Sequence, residues 1–436
     1  MLLNDWIKQY GTREMITPSD PQKCLNEFSN IFTGGGNKRV YFYGGGAVGN
    51  TFVSIFSQLG IKIDGVFDRA YETRKVAGCE MYPPEKIVEL LGENDVLIGT
   101  VNWRNQDVIQ KYLKKLGVQN ELVDGSLLHS PLQRSICTLH NIHNKRMNYA
   151  DCSCCFIESS RCDIMRKNVI QSKNGAKINH GKSKLPLIEV IVGNVCTLRC
   201  DKCLESVPYT KLARHQESKE KLIGEIKRVS EAIEFATTVN FLGGEPFLHP
   251  DLPDIIDAVS KIPNVGIVKL ITNGTVNPSA RLVESLKNDF VLVNVSDYSS
   301  QLSNIQKARI AETLRILKNE GIAFSHIKDM TWYDMSSFQK NDDDDTALRN
   351  RFQDCRMNGS HRMYDNKVFP CSHFYAGYVS GQLPLDDTVI DIFEDDITLL
   401  AKRLDQLWEQ PYSTACRYCN MPYVSRLVPG GAQVSK

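Results

Sequence analysis

Apolar positions recur along the chain with two periods. Near the N-terminus, residues 39–43 (RVYFY) read as a short buried strand, and Val48, Phe52, Ile55, Phe56 and Leu59 then fall at helical spacing with Gly60 as a stop. Residues 62–67 form a second strand ending at Asp68, residues 84–91 a helix, and residues 95–100 a third strand. From position 188 the pattern becomes regular. Strand-like runs at 188–192, 238–242, 267–272, 291–295 and 322–326 are separated by amphipathic stretches at 219–235, 252–261, 280–287 and 305–319. Alternating β and α segments of these lengths predict a parallel sheet with crossover helices, whose functional residues gather at the C-terminal ends of the strands.

Chain organisation follows from these runs. Residues 1–150 form one domain, 151–184 a cysteine-rich joint and linker, 185–330 the central β/α domain and 345–436 a C-terminal region. In the first domain, Gly44, Gly46 and Gly49 (GGGAVG) follow a strand and open a helix, and Asp68 ends the next strand. This predicts a Rossmann-like fold. Such a turn can hold a pyrophosphate on backbone amides while the carboxylate takes ribose hydroxyls, as in NAD and other nucleotide sites; it also serves simply to pack strand on helix. Residues 166–184 mix Lys, Asn, Ser and Gly with little periodicity and read as a solvated linker or a hairpin. The run NDDDD at 341–345 reads as a solvated loop.

Composition narrows the class. The chain has 436 residues, 42% hydrophobic and 24% charged, the balance of a globular protein of two or three domains. A net charge of +1 gives no global attraction to nucleic acid or an anionic membrane. There is no signal-peptide core and no apolar run of transmembrane length, so a cytoplasmic location is expected. In a reducing compartment the 14 cysteines are metal ligands or small buried apolar residues rather than disulfides.

Clustering separates these roles. Cys196, Cys200 and Cys203 form CxxxCxxC just after an apolar strand, three thiols that suit a metal centre keeping one position open. With FLGGEP at 241–246, LITNGT at 270–275 and VLVNVSD at 291–297, this segment resembles the radical S-adenosylmethionine (radical SAM) superfamily. One departure is Lys202, where the family often has an aromatic residue.

The resemblance implies a partial (β/α)6 TIM-like barrel. Cys196, Cys200 and Cys203 would hold a 4Fe-4S cluster whose fourth iron chelates SAM. Gly243, Gly244, Glu245 and Pro246 would contact the methionine amino group, while Asn273, Ser296 and Asp297 would address its carboxylate or the ribose. Reductive cleavage of SAM then yields a 5'-deoxyadenosyl radical that abstracts hydrogen from substrate, with flavodoxin or ferredoxin as reductant.

In the C-terminal region, Cys355, Cys371, Cys416 and Cys419, with a hairpin turning at Asp365 and Asn366 and a helix near 390–407, resemble the twitch form of the SPASM extension. That resemblance implies an auxiliary 4Fe-4S cluster; a four-cysteine zinc site is the rival. Cys152, Cys154, Cys155 and Cys162, near His140 and His143, are either a further metal site or connector packing. Tyr298, His361, Asp365 and His373 are candidate acids or hydrogen donors. The expected substrate is a carbohydrate or nucleotide-linked small molecule, oxidised or epimerised at a carbinol carbon. The alternatives are a peptide-modifying maturase and a non-catalytic iron-sulfur assembly or regulatory protein.

Overall fold

The computed structural model describes residues 2–12, 17–33, 38–72, 76, 78–101, 106–140, 162–355, 360–394, 396–420 and 427–434. They divide between two compact units, one within residues 1–144 and one extending to residue 436. Cys152, Cys154, Cys155 and His143 lie outside the described residues. Among these residues, no helix is long and apolar enough to cross a membrane.

The first unit is built on a five-stranded sheet of β1 (Val40–Tyr43), β2 (Gly65–Phe67), β3 (Met81–Tyr82), β4 (Val96–Gly99) and β5 (Leu122–Asp124). Its order is β3-β2-β1-β4-β5 and every pairing is parallel. Both faces are covered, which is why β1 reads as a continuous apolar run. Val40, Phe42, Val66 and Ile98 pack on one side with Trp6, Phe28, Phe52 and Phe56, and Tyr41, Phe67 and Leu97 on the other with Ile109 and Leu113. The first of these layers draws on helices Leu3–Tyr10, Pro21–Thr33 and Gly125–His140, which the sequence pattern did not announce.

The second unit carries an eight-stranded sheet. Five parallel strands, β6 (Leu187–Ile191), β7 (Ala236–Leu242), β8 (Val265–Thr272), β9 (Val291–Asp297) and β10 (Phe324–Lys328), lie side by side in chain order. Three of the four crossover helices begin with side-chain caps: Ser218 accepts from the Lys221 amide, Ser279 from Leu282, and Ser303 forms a capping box with Gln306. The outer face is one apolar layer: Val190, Phe241, Leu270 and Val293 from the strands meet Leu222, Ile226, Ile256 and Leu286 from the helices.

Two expectations are corrected here. The stretch after residue 162 is no solvated linker, for Asp163–Ser172 is a helix whose Met165 and Val169 pack with Cys162 on Phe235, Ile267 and Leu292. Its last turn leads to Lys173, buried, whose Nζ donates to the carbonyls of Ser260, Ile262 and Val265. Second, the sheet continues beyond β6 without a sixth β/α unit. The strand beside β6 is β12 (Arg362–Tyr364), parallel to it, followed by β13 (Lys367–Phe369) and β14 (Ile390–Asp391), both antiparallel.

The C-terminal region thus shares the central sheet, and Met363, Val368, Ile390, Leu400 and Leu404 join the same core. The hairpin turns as the sequence indicated, with Asp365 and Asn366 both at positive φ (49° and 61°). The helix expected from position 390 starts later, at Ile397, because Asp396 caps it. A short ribbon pairs β11 (Thr331–Tyr333) with β15 (Leu427–Pro429).

Glu225 locks the hairpin to the outer helix, accepting from the Asn366 amide at 2.8 Å. Burial pushes its carboxyl up to about 7, against the lowering effect of that N–H. Between the ordinary value of 4.5 and about 7, the folded chain keeps a proton that the unfolded chain has released. Its stabilising contribution is therefore full at low pH and lost as pH rises through about 7. The unfolding free energy of the wild type relative to Glu225→Gln should fall from pH 4.5 to 7.5 and then level. A difference constant across that window in denaturant titrations contradicts this.

Candidate active site

Three strand ends meet around the cysteine loop. Immediately after β6, Gly193 adopts φ +151°, and the turn after β7 has Gly243 at φ +129°. These turns are pressed together backbone to backbone: the Gly244 amide donates to Gly193 O at 2.9 Å and the Glu245 amide to Val195 O at 2.8 Å. A Cβ on Gly244 would collide with Val195 O, and one on Gly243 would stand 2.6 Å from Gly193 O. The paired glycines are required because the cysteine-bearing segment lies directly against them.

Glu245 extends the tie to β8. Its carboxylate, buried, accepts from the Phe247 amide at 3.0 Å, the Thr272 hydroxyl at 2.6 Å and the Asn273 amide at 2.8 Å. Desolvation raises its pKa to about 7 although all three donors favour the anion. Asn273 carries the connection back to the loop. Its Oδ1 accepts from the Thr275 amide and hydroxyl, and its Nδ2 donates to Thr197 Oγ1 at 3.2 Å and Cys196 Sγ at 3.6 Å. The Thr197 and Thr275 hydroxyls close the ring at 2.6 Å. Thr197 and Thr275 were missed in the sequence, since each sits beside a motif residue and has no spacing of its own.

Cys196, Cys200 and Cys203 pack together with Leu198, Tyr298, Leu302 and Ile310. Burial pushes the Cys196 and Cys203 thiols up to about 12 and raises that of Cys200. Such thiols ionise when a metal's charge replaces the lost water. Donors already face the sulfurs: Leu198 N to Cys196 Sγ at 3.4 Å and Gln433 Nε2 to Cys200 Sγ at 3.4 Å. Lys202, at φ +61°, turns its amine to Ser336 at 2.9 Å.

Ser296 is buried at the end of β9, and Tyr298 beyond it crosses Trp332 edge to face at 5.2 Å. Asp297 accepts from His326 Nε2 at 2.8 Å and from the Ser299 amide. Its pKa is lowered: burial opposes ionisation, but the His326 and Ser299 hydrogen bonds outweigh it.

The chain's last described residues complete the wall. The Asp201 amide donates to Ala432 O at 2.6 Å, Val434 N to Arg199 O at 2.7 Å, and Arg199 N to Gln433 Oε1 at 2.9 Å. Gly431 lies so close to the Tyr298 ring that a Cβ there would meet its Cγ at 2.5 Å. No sequence signal marked this segment.

The four C-terminal cysteines also converge, each thiol near enough for its charge to act on another. Cys355 ends helix Asp345–Asp354, Cys371 caps helix Ser372–Val379 by accepting from Phe374 N, and Cys416 and Cys419 flank a 3-10 turn. The acidic run before the helix is not a free loop. Asn341 Nδ2 donates to Cys416 O at 2.9 Å and Cys419 O at 3.2 Å, Arg351 donates to the same carbonyls, and Asp343 pairs with Arg351.

Among the described residues, no three Cys, His, Asp or Glu side chains converge on a point able to hold one metal ion. A tetrahedral zinc needs all its sulfurs at about 2.3 Å from that point. Both donor sets are all-sulfur, the ligand chemistry that iron-sulfur clusters also take, one thiolate to each iron.

The remaining candidates have other partners. Asp365 pairs with Lys221 at 2.6 Å, and His361 Nδ1 lies 2.8 Å from Pro370 O. His373 Nε2 lies 3.0 Å from Tyr418 O, and burial lowers its pKa to about 4. In the first unit, Gly49 lies against Gly44 O, Gly46 caps helix Ala47–Gln58, and Thr100 Oγ1 donates to Gly44 O at 2.6 Å. Buried Asp68 accepts from Gly45 N at 2.6 Å and Ala70 N at 2.7 Å, so both its oxygens hold backbone.

Residues 190–332 match the family model of the Radical SAM superfamily. The chain is 30% identical over 88 residues to the GTP 3',8-cyclase of Chlorobaculum tepidum, 20% of this chain and 25% of that protein. It is 29% identical over 97 residues to the GTP 3',8-cyclase of Psychromonas ingrahamii, 22% and 28% of the two chains. It spans about a quarter of the length of these curated relatives. Similar solved structures include BtrN in complex with AdoMet and 2-DOIA, at 15% identity and TM-score 0.35 over 55% of this chain and 94% of that one. Another is Streptococcus suis SuiB bound to S-adenosylmethionine, at 14% identity and TM-score 0.27 over 51% and 44%.

Two glycine substitutions separate packing from propensity. Gly244→Ala forces the turn away from Val195 and should lower the unfolding free energy by about 2 kcal/mol or more. Gly224→Ala, inside helix Lys219–Ala232 with nothing within 4 Å of a new Cβ, should raise it by up to about 1 kcal/mol. Denaturant unfolding measures both, and equal effects at the two positions would refute the contact.

Proposed function

We propose that this protein is a radical SAM enzyme that acts on a carbohydrate or nucleotide-linked substrate, oxidising or epimerising it at a carbinol carbon. The observation that carries the reading is the joining of the CxxxCxxC loop, the GGEP turn and the Asn273 turn into one hydrogen-bonded rim at the ends of β6, β7 and β8. Cys196, Cys200 and Cys203 would hold a 4Fe-4S cluster with SAM on its open iron. When bound, that pair supplies one-electron reductive cleavage of SAM and thereby a carbon radical able to take hydrogen from substrate.

The chain's own residues position and exclude. Glu245 fixes the GGEP turn, leaving the edge between Gly243 and Pro246 to receive the methionine amino group. Asn273 and Ser296 would address the carboxylate and the ribose. Tyr298, Leu198 and residues 431–434 wall the loop against water, which protects a radical from quenching. Cys355, Cys371, Cys416 and Cys419 would hold an auxiliary 4Fe-4S cluster, with flavodoxin or ferredoxin as external reductant. The parallel β3-β2-β1-β4-β5 sheet supports a nucleotide-linked substrate by analogy, since such sheets bind ligands where their winding reverses.

Anaerobic reconstitution should give about eight irons per chain. Replacing Cys196, Cys200 and Cys203 together by Ala should leave about four and abolish 5'-deoxyadenosine formation from SAM and dithionite. Persistence of that product in the triple variant overturns the assignment.

A further inference from the structure

The inner face of the second unit's sheet carries a polar step that the SAM site does not use. Side chains alternate along a strand, and Val190, Phe241, Leu270 and Val293 belong to the outer, helix-covered layer. Glu189, Asn240, Lys269 and Asn294 therefore face inward. Register sets Glu189 beside Asn240 and Asn240 beside Lys269. Asn294 lies on the same face of β9, two residues beyond Leu292, the partner of Lys269. Ile267 one level below, and Leu292 beside Lys269, are sealed by helix Asp163–Ser172, while Ile191 and Leu242 one level above pack with Tyr364 and Phe369. Toward the strand ends, Ser296 and the cysteine loop follow.

Charge is already balanced at one end of this step. Arg362 pairs with Glu189 and holds Glu205 through Nε and Nη2 at 3.1 Å and 2.9 Å. Glu189 accepts from the Ser360 hydroxyl at 2.6 Å and from Asn240 Nδ2 at 3.3 Å. The carboxylate sets the Asn240 amide, drawing its NH2 and turning its oxygen away. That oxygen, on a side chain only 3% exposed, has no partner, and neither has the buried Oδ1 of Asn294. Lys269 is half-buried, with no hydrogen bond or ion pair among the described residues. Buried carbonyl oxygens left unmet are destabilising and uncommon in folded proteins.

Two acceptors and an unneutralised amine on one face of the sheet define a complementary ligand. It presents hydroxyl donors to the amides and a negative group to the amine. We infer that Asn240, Asn294 and Lys269 form the substrate-selecting step of this site, taking a polyhydroxylated small molecule with an anionic substituent. The hydroxyls bind the two amide oxygens, and the phosphate or carboxylate binds Lys269. The inference rests on the proposed radical SAM reading for its location, and it narrows the substrate class. Apolar substrates would leave all three groups unmet, whereas neutral sugars would leave the amine unmet.

The test is direct binding by calorimetry to the anaerobically reconstituted, SAM-loaded full chain without reductant. The probes are glucose 6-phosphate, ribose 5-phosphate, the two parent sugars and inorganic phosphate. At least one sugar phosphate should bind ten-fold or more tightly than both its parent sugar and inorganic phosphate. Lys269→Met should remove most of the preference over the parent sugar, and Asn294→Leu should weaken binding of sugar and sugar phosphate alike. Circular dichroism and iron content establish that each variant is folded and loaded; Lys269→Gln and Asn294→Ala replace any that is not. Absence of binding by every sugar phosphate overturns the inference, as does inorganic phosphate binding equally well or Lys269→Met leaving the preference intact. Wild-type 5'-deoxyadenosine formation is measured separately, so failure of the radical reading is distinguished from failure of this one.

Discussion

The backbone-on-backbone contact between the turn after β7 and the loop after β6 is the constraint on which the site depends. Two amide-to-carbonyl bonds, from Gly244 to Gly193 and from Glu245 to Val195, fix the cysteine loop's height over the sheet. Each requires an approach that only glycine permits on the β7 side. Glu245 converts this local contact into a three-strand connection, because its two oxygens reach the Thr272 hydroxyl and the Asn273 amide at the end of β8. An ionisable group in an interior position normally carries a desolvation penalty. Here three donors compensate part of it, and the remainder appears as a raised pKa. A carboxylate in this position makes the loop's placement a property of the sheet rather than of the loop.

The C-terminal region acts on the same loop from the other side. By adding β12 beside β6, it brings Arg362 to Glu205, two residues beyond Cys203, and to Glu189 on β6. Removing Arg362 would leave two carboxylates buried without compensation, and the cluster fixes geometry more than it adds stability. Residues 432–434 hold the loop at Arg199 and Asp201. The cysteine triad is therefore gripped by the β7 turn, the Asn273 turn, Arg362 and the tail. A redox centre gains from such rigidity, since reorganisation on electron transfer is costly in a loosely held shell.

Much of this was legible because two periods differ so plainly. The five central strands and four crossover helices emerge within a few residues of their expected limits, since buried parallel strands are continuous apolar runs and three of the four helices carry Ser caps. The 163–172 helix was not legible. Its buried face is only Met165 and Val169, and its exposed Lys and Asn mimic a linker. The acidic run at 341–345 misled in the opposite sense: four carboxylates suggest solvent, but Asn341, Asp343 and Arg351 are spent on the carbonyls of the Cys416–Cys419 turn and on one another. For Arg362 with Glu189 and Glu205, separations of 173 and 157 residues erase any local signal. The glycine turn of the first unit was legible as geometry, while Asp68 turned out to hold the turn's own amide.

The inner face explains why residues that look out of place in a sequence can be consistent with the fold. Asn240, Lys269 and Asn294 interrupt strands that are otherwise Val, Ile and Leu, and each weakens the case for a buried strand when read alone. They fall in positions where the outer layer is unaffected, because alternation keeps Phe241, Leu270 and Val293 against the helices. The outer face carries one continuous core, while the inner face is mixed: Ile191 and Leu242 pack with Tyr364, Phe369 and Phe374, and Asn240 and Asn294 hold polar groups at a cost. A fold that merely needed a core would place apolar residues on both faces, as the first unit does at β1. Ile267 below Lys269, Leu292 beside it, and Ile191 and Leu242 one level above Glu189 and Asn240 show that apolar packing of the inner face is available to this sheet, so the polar residues between them are not forced by position.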